Sequence, residues 1–200
     1  MTQSSKVTNT WDERYAQDEY VYGKQPNEFF RQQLQPLRPG KILLPAEGEG
    51  RNAVFAALQG WDVVAFDSSV EAKRKANVLA QEVGKIIEYQ INSFENFNTE
   101  EQFDAIGLVY AHNLNRQENH RKLSGFLKKG GIIILEGFSK EQLNYNSGGP
   151  KSTEMLFSVD ELKSDFESFS SLNIWTEEVE LSEGNYHLGK ASVVRMVGVK

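Results

Sequence analysis

The chain has 200 residues, no cysteine and three histidines, and its 22 Lys plus Arg against 28 Asp plus Glu give a formal net charge of −6. The missing cysteines exclude disulfides, thiolate nucleophiles and Cys-ligated zinc, and three histidines argue against a His-rich metal centre. The acidic balance argues against a nucleic-acid partner, because phosphate backbones are met by clustered Lys and Arg. The length suits one domain spanning 1–200. Residues 1–10 are polar and carry no apolar leader. No stretch approaches the ~18–20 apolar residues of a transmembrane helix. A soluble cytoplasmic protein with no membrane partner is therefore expected.

In chain order, Trp11–Phe30 reads as a helical or lid segment, with Pro26 near a helix start. Residues 1–39 form this N-terminal part, and Pro39-Gly40 precede the first strand, Lys41–Pro45. A glycine-rich turn leads into a helix over Asn52–Leu58 that Gly60 stops. Trp61–Phe66 is a second strand. Ser68-Ser-Val-Glu71 has the spacing of a capping box and opens a helix through Ala72–Val83. Ile86–Ile91 and Phe103–Tyr110 are the third and fourth strands. A helix around Glu118–Lys128 ends at Gly130-Gly131, and Gly131–Phe138 is the fifth strand, completing a core over 40–138. Ser139–Thr153 is loop, with Ser147-Gly-Gly-Pro150 inside it. A second capping box, Ser158-Val-Asp-Glu161, opens a helix to about Phe169. Leu172–Leu181 and Ala191–Val199 form a terminal hairpin around the polar Ser182–Gly189, so 139–200 is loop plus hairpin. Strands alternating with helices across short Gly-bearing turns predict an α/β fold of Rossmann-like, doubly wound type. The sheet is seven-stranded and mostly parallel, with a terminal antiparallel hairpin.

In such a sheet the ligand crevice lies at the turn after the first strand. Here that turn is Glu47-Gly48-Glu49-Gly50-Arg51-Asn52, with glycines that let a backbone approach a ligand closely. Two carboxylates beside the glycines repel a pyrophosphate and favour a cationic ligand. A P-loop is excluded, since no Gly-Lys-Ser/Thr follows. Asp67 closes the second strand, where an acidic side chain accepts hydrogen bonds from ribose hydroxyls, or serves with Ser68 as a helix cap. Asn92, Ser93 and Phe94 end the third strand, placed for an adenine.

This ordered set resembles the class I S-adenosylmethionine-dependent methyltransferases, in particular the tellurite-resistance and thiopurine methyltransferase group. Ile42–Gly50 stands where that group has its first strand and Gly-x-Gly-x-Gly turn. Asp67 stands at the ribose position, Asn92-Ser-Phe94 at the adenine position, and Leu127-Lys-Lys-Gly-Gly-Ile-Ile-Ile-Leu135 at the fifth strand. Trp11-Asp-Glu-Arg-Tyr15 resembles the N-terminal cofactor lid. The chain departs from the group at Leu44 (acidic there), Ala46 (glycine), Glu47 (cysteine) and Asn92 (aspartate). The resemblance implies S-adenosyl-L-methionine as cofactor. Its binding set would be Trp11, Arg14, Tyr22, Glu47, Gly48, Glu49, Gly50, Asn52, Asp67, Ser68, Asn92, Ser93, Phe94 and Tyr110.

Methyl transfer needs positioning, and a general base only where the acceptor loses a proton. His112, after the fourth strand, and His187, in the hairpin, are the candidate catalytic residues, and no metal is called for. Glu136 and the loop Ser147–Lys151 are candidates to line the acceptor side, whereas His120 reads as a solvated helix residue. The group's Asn/Asp-Pro-Pro-Tyr/Phe motif for nucleic-acid amines is absent at Tyr110-Ala-His-Asn113, so a small-molecule acceptor is expected. The edge hairpin offers a surface for a homodimer. A nicotinamide-dependent oxidoreductase is disfavoured by Glu47 and Glu49. A non-catalytic ligand-binding protein is left open by Leu44 and Asn92.

Overall fold

The computed structural model describes residues 10–200; the polar opening segment, 1–9, lies outside the described residues. Seven strands form one sheet in the order β3-β2-β1-β4-β5-β7-β6. They are β1 (Lys41–Pro45), β2 (Asp62–Asp67), β3 (Glu88–Ile91), β4 (Phe103–Val109), β5 (Leu127–Phe138), β6 (Ser171–Glu183) and β7 (His187–Val199). The first five pair in parallel, whereas β7 runs antiparallel between β5 and β6. The predicted fold class holds.

Period-2 alternation builds two cores from single strands. Ile42 and Leu44 of β1 point to one face and Leu43 to the other; Ile134 of β5 opposes Ile133 and Leu135 in the same way. The first face is covered by α2 (Glu28–Leu34), α3 (Arg51–Leu58) and α4 (Val70–Glu82), through Phe29, Phe30, Ala53, Ala57, Ala76 and Leu79. The second is covered by α5 (Arg116–Phe126) and α6 (Val159–Asp165), through Leu123, Phe126 and Leu162, with Phe166 just beyond α6. Helices thus switch faces between β1 and its neighbour β4, which opens a crevice at the carboxyl ends of those strands.

Several boundaries differ from the sequence reading. The lid segment is two helices, α1 (Thr10–Tyr15) and α2, joined through Pro26 and capped at Asn27, whose Oδ1 accepts from Phe30 N at 2.9 Å. The cap of α4 is Ser69, accepting from Ala72 N at 3.1 Å, and not Ser68. Glu71 turns outward to Arg74 instead of back to the cap. The box at Ser158 and Glu161 forms as predicted, but its helix stops at Asp165. Strand β5 begins at Leu127, paired with Phe103, and crosses Lys128–Gly131 as an irregularity before regaining register at Ile132. The hairpin is longer and tighter than predicted: Glu183 pairs with His187, leaving three residues in the turn. Among the described residues no helix is long and apolar enough to cross a membrane.

Candidate functional site

The crevice is a cavity of about 570 Å³ at the carboxyl ends of β1, β2, β3 and β4. The turn after β1 forms its floor. Gly48 has φ +65°, a conformation that residues with a side chain rarely adopt, and a Cβ there would lie 2.9 Å from the Tyr15 hydroxyl. The Gly48 amide donates to Asp67 Oδ2 at 3.1 Å, and its carbonyl accepts from the Tyr89 hydroxyl at 2.5 Å. Ala46 takes the left-handed conformation (φ 51°) at the position where the resembling group has glycine. Tyr110 does the same (φ 52°) at the end of β4. Two non-glycine residues in that region, both lining one cavity, mark it as a constrained site.

The structure brings together nearly all the expected residues. Trp11, Arg14, Tyr22, Glu47, Gly48, Glu49, Asn52, Asp67, Ser68, Asn92, Ser93, Phe94, Tyr110, His112 and His187 all line the cavity, as does the loop Gly148–Ser152. Gly50 does not. Its Cβ would meet Ala76 Cβ at 2.6 Å and Cα at 2.8 Å, so this glycine (φ +89°) lets α3 and α4 touch. Glu136 is buried behind the cavity wall, and His120 is buried against Phe166 rather than solvated.

The acidic turn is more neutral than its sequence suggests. Glu49 is saturated: Lys75 Nζ lies 2.8 Å from Oε1, and Val21 N donates to Oε2 at 2.7 Å. It fastens the lid segment to α4. Glu47 Oε1 accepts from Asn52 N at 2.8 Å and Ala53 N at 2.7 Å, capping α3 from within the turn. Burial outweighs these bonds and pushes its carboxyl up to about 7. The electrostatic argument for a cationic ligand that the sequence assigned to both carboxylates is therefore weakened at each: Glu49 is compensated by Lys75, and Glu47 titrates near neutrality. Asp67 also accepts from Ser69 N at 2.9 Å, and burial raises its pKa.

The two candidate bases differ. His112 has neither ring nitrogen free: Nδ1 lies 2.7 Å from the Met155 carbonyl, and Nε2 accepts from Phe138 N at 3.0 Å. Burial holds its pKa down to about 4. It pins the loop 148–155 to β5, and the expectation that it acts as a base is corrected on that geometry. Among the described residues His187 makes one hydrogen-bonding contact, Nδ1 to Glu183 Oε2 at 3.3 Å. Its ring packs on Tyr22 and Tyr110, each at 4.5 Å between centroids. The Tyr110 hydroxyl donates to Glu136 Oε1 at 3.0 Å, which fixes the ring.

Sequence reasoning missed the polar network behind this wall. Asn27 Nδ2 donates to Glu136 Oε1 at 2.6 Å and to Glu183 Oε1 at 3.0 Å. Arg51 Nη2 meets Glu183 Oε2 at 3.0 Å, and Arg195 Nε meets Glu136 Oε2 at 2.6 Å. Above the cavity the Arg14 guanidinium lies between the Trp11 ring (4.7 Å) and the Tyr186 ring (5.0 Å), so lid and hairpin tip clasp each other. The aromatic spacing at Trp11, Tyr15 and Tyr22 was the legible signal for the lid; nothing in sequence flagged Asn27.

Residues 9–183 match the family of the tellurite resistance protein TehB. The glycine/sarcosine N-methyltransferase of Halorhodospira halochloris is 29% identical over 144 residues, covering 68% of this chain and 51% of that protein. The chain thus spans about half the length of that relative. Among solved structures, TehB from Haemophilus influenzae superposes with a TM-score of 0.70 at 18% identity, over 88% of this chain and 62% of that one. A S-adenosylmethionine-dependent methyltransferase from Clostridium acetobutylicum ATCC 824 superposes at 0.62 and 16% identity, over 94% and 96%. At these identities the solved structures speak for the fold.

Proposed function

The chain belongs to the family of the tellurite resistance protein TehB, and on that premise we propose that it is a methyltransferase that uses S-adenosyl-L-methionine and methylates a small-molecule acceptor. The observation that carries this reading is the single cavity that joins the glycine turn, Asp67, Asn92–Phe94, the lid aromatics and His187. The cofactor fits the residues present. The floor at Gly48 is a left-handed glycine without a side chain, and the acidic group at the end of β2 is buried and aimed at that floor.

In this reading Asp67 and Ser68 hold the ribose, and Asn92, Ser93 and Phe94 meet the adenine. Phe94 is held edge-on against Phe66, with ring centroids 5.7 Å apart. Glu47, Gly48, Asn52, Arg14, Tyr22 and Trp11 receive the methionine end. When bound, the cofactor supplies an electrophilic methyl group on a positively charged sulfur. Tyr110 and His187 form the wall on the acceptor side and exclude water from it. His187 takes the proton from an acceptor that must lose one. Asn113, and Lys151 and Met155 of the loop that His112 pins, also line the cavity.

The acceptor class is supported by the name of the Halorhodospira halochloris relative, a glycine/sarcosine N-methyltransferase. A homodimer through the hairpin edge is not part of this proposal. Strand β6 presents exposed Glu177, Glu178 and Glu180 along that edge, and like charges oppose edge pairing. A screen of amines, thiols, hydroxyl compounds and metalloid oxyanions with methyl-labelled cofactor tests the reading. Label transfer to one class, lost in H187Q for acceptors that must be deprotonated, is the expected result; transfer to none of them contradicts it.

A further inference from the structure

A histidine serves as a base at one nitrogen when the other is held by a hydrogen-bond acceptor that fixes its tautomer. In the β6–β7 hairpin, Glu183 and His187 are register partners across a three-residue turn, and Glu183 Oε2 lies 3.3 Å from His187 Nδ1. Among the described residues the imidazole makes no other hydrogen bond; the rings of Tyr22, Tyr110 and Phe138 pack around it in tilted and edge-on contacts. Glu183 is itself held from two further elements. Arg51 of α3 reaches Oε2, and Asn27, before α2, reaches Oε1. Its side chain is only 14% exposed. Gly184 (φ +64°) makes this seat possible: any Cβ there would run into the Val21 carbonyl.

We propose that Glu183 is the positioning residue of His187, holding Nδ1–H so that Nε2 is the ring's proton acceptor and remaining beside it as the counter-ion once Nε2 is protonated. This rests on the reading of His187 as the base. With the cofactor bound, the acceptor X–H bond would break and its proton would pass to Nε2, while the pair left on X would form the X–C bond as the methyl–sulfur bond breaks and its pair leaves on sulfur as a neutral thioether. No proton passes to Glu183, whose carboxyl Arg51 and His187 hold at about 2 against the opposing effect of burial. The charged and titratable groups that face His187 are Glu183 on its own hairpin, Arg51 from α3, Glu136 from β5, Tyr22 from the lid, and Tyr110 and His112 after β4. Burial and Arg51 oppose the imidazolium, whereas Glu183 and Glu136 favour it. Removing the Glu183 charge leaves Arg51 uncompensated, so His187 then protonates less readily.

The test is an NMR titration of the His187 ring in the full chain, compared with E183Q, which keeps shape and hydrogen-bond acceptor but loses the charge. The expected result is a fall of His187's titration midpoint by about one pH unit or more, with a smaller fall in E183D. In turnover with an acceptor that loses a proton, the acid limb of kcat in E183Q moves to lower pH by a similar amount. An unmoved midpoint in folded E183Q overturns the proposal. The reading beneath it fails separately: full turnover by H187Q shows that His187 is not the base, whatever the titration gives.

Discussion

Glu49→Ala isolates the claim that this glycine-turn carboxylate fastens the lid rather than recognises a ligand. It removes the partner of a Lys75 ammonium that is 4% exposed. What remains for Lys75 is the Glu19 carbonyl at 2.6 Å and the Tyr20 ring at 5.1 Å. Breaking a buried pair on one side costs ~3–5 kcal/mol, because the other charge stays buried. The Val21 amide also loses its acceptor, adding on the order of 1 kcal/mol. At ~2–4 °C per kcal/mol for a chain of this size, the melting temperature falls by roughly 8–24 °C. The assay is thermal and urea unfolding of wild type, E49A, E49L, K75M and the double variant E49L/K75M. Apolar residues of similar volume replace the pair almost neutrally, so the double variant should sit within ~2 kcal/mol of wild type, far less than the sum of the two single losses. A loss below ~1 kcal/mol in E49A, or strict additivity, refutes the reasoning.

Three further predictions concern the same turn and its neighbours. Gly50→Ala forces a left-handed φ on alanine and drives its Cβ into the Ala76 backbone; it should cost about 2–4 kcal/mol in urea unfolding, and a neutral result would show that α3 and α4 separate freely. His112 is held to about 4 against an ordinary 6.5, so the unfolded chain binds its proton first and stability drains as pH falls between those values, by up to ~3 kcal/mol. H112Q should flatten that acid limb; an unchanged slope from pH 7 to pH 4 contradicts the neutral, doubly bonded imidazole. Glu47 acts with the opposite sign: raised from 4.5 to about 7, it favours the folded state most below pH 4.5 and loses that contribution as pH rises through 7. E47Q should therefore gain stability relative to wild type between pH 5 and pH 8, by up to ~3 kcal/mol, and a constant difference across that range argues against a carboxyl titrating near neutrality.

The sheet was legible because its signals are local. Apolar runs such as Ile42–Leu44 and Ile132–Leu135 alternate with helices that end at Gly60 and Gly84, and that rhythm alone implies parallel crossovers. The hairpin boundaries were not legible, since Ser182–Gly189 is polar yet most of it pairs as strand ends. The start of β5 was hidden by Lys128–Gly131, which reads as a break and forms an irregularity inside a strand. At α4, Ser68 and Ser69 offer equivalent hydroxyls; Asp67 decides between them by accepting from Ser69 N. The same limit applies to the site. Its residues were found because they stand at strand ends, which sequence order reveals. Their states depend on partners far along the chain: Lys75 beside Glu49, Met155 beside His112, and Ala76 beneath Gly50. Glu183 came closest to being legible, four residues before His187 across a short turn.

The central claim is that this cavity takes S-adenosylmethionine, and titration calorimetry with S-adenosylhomocysteine and, in parallel, NAD tests it most directly. Saturable one-to-one binding of S-adenosylhomocysteine is predicted, with no comparable heat from NAD and affinity weakened ~10–100-fold in D67N, which loses the charged acceptor at the ribose position. Tight binding of NAD without S-adenosylhomocysteine, or binding that D67N leaves untouched, would contradict it.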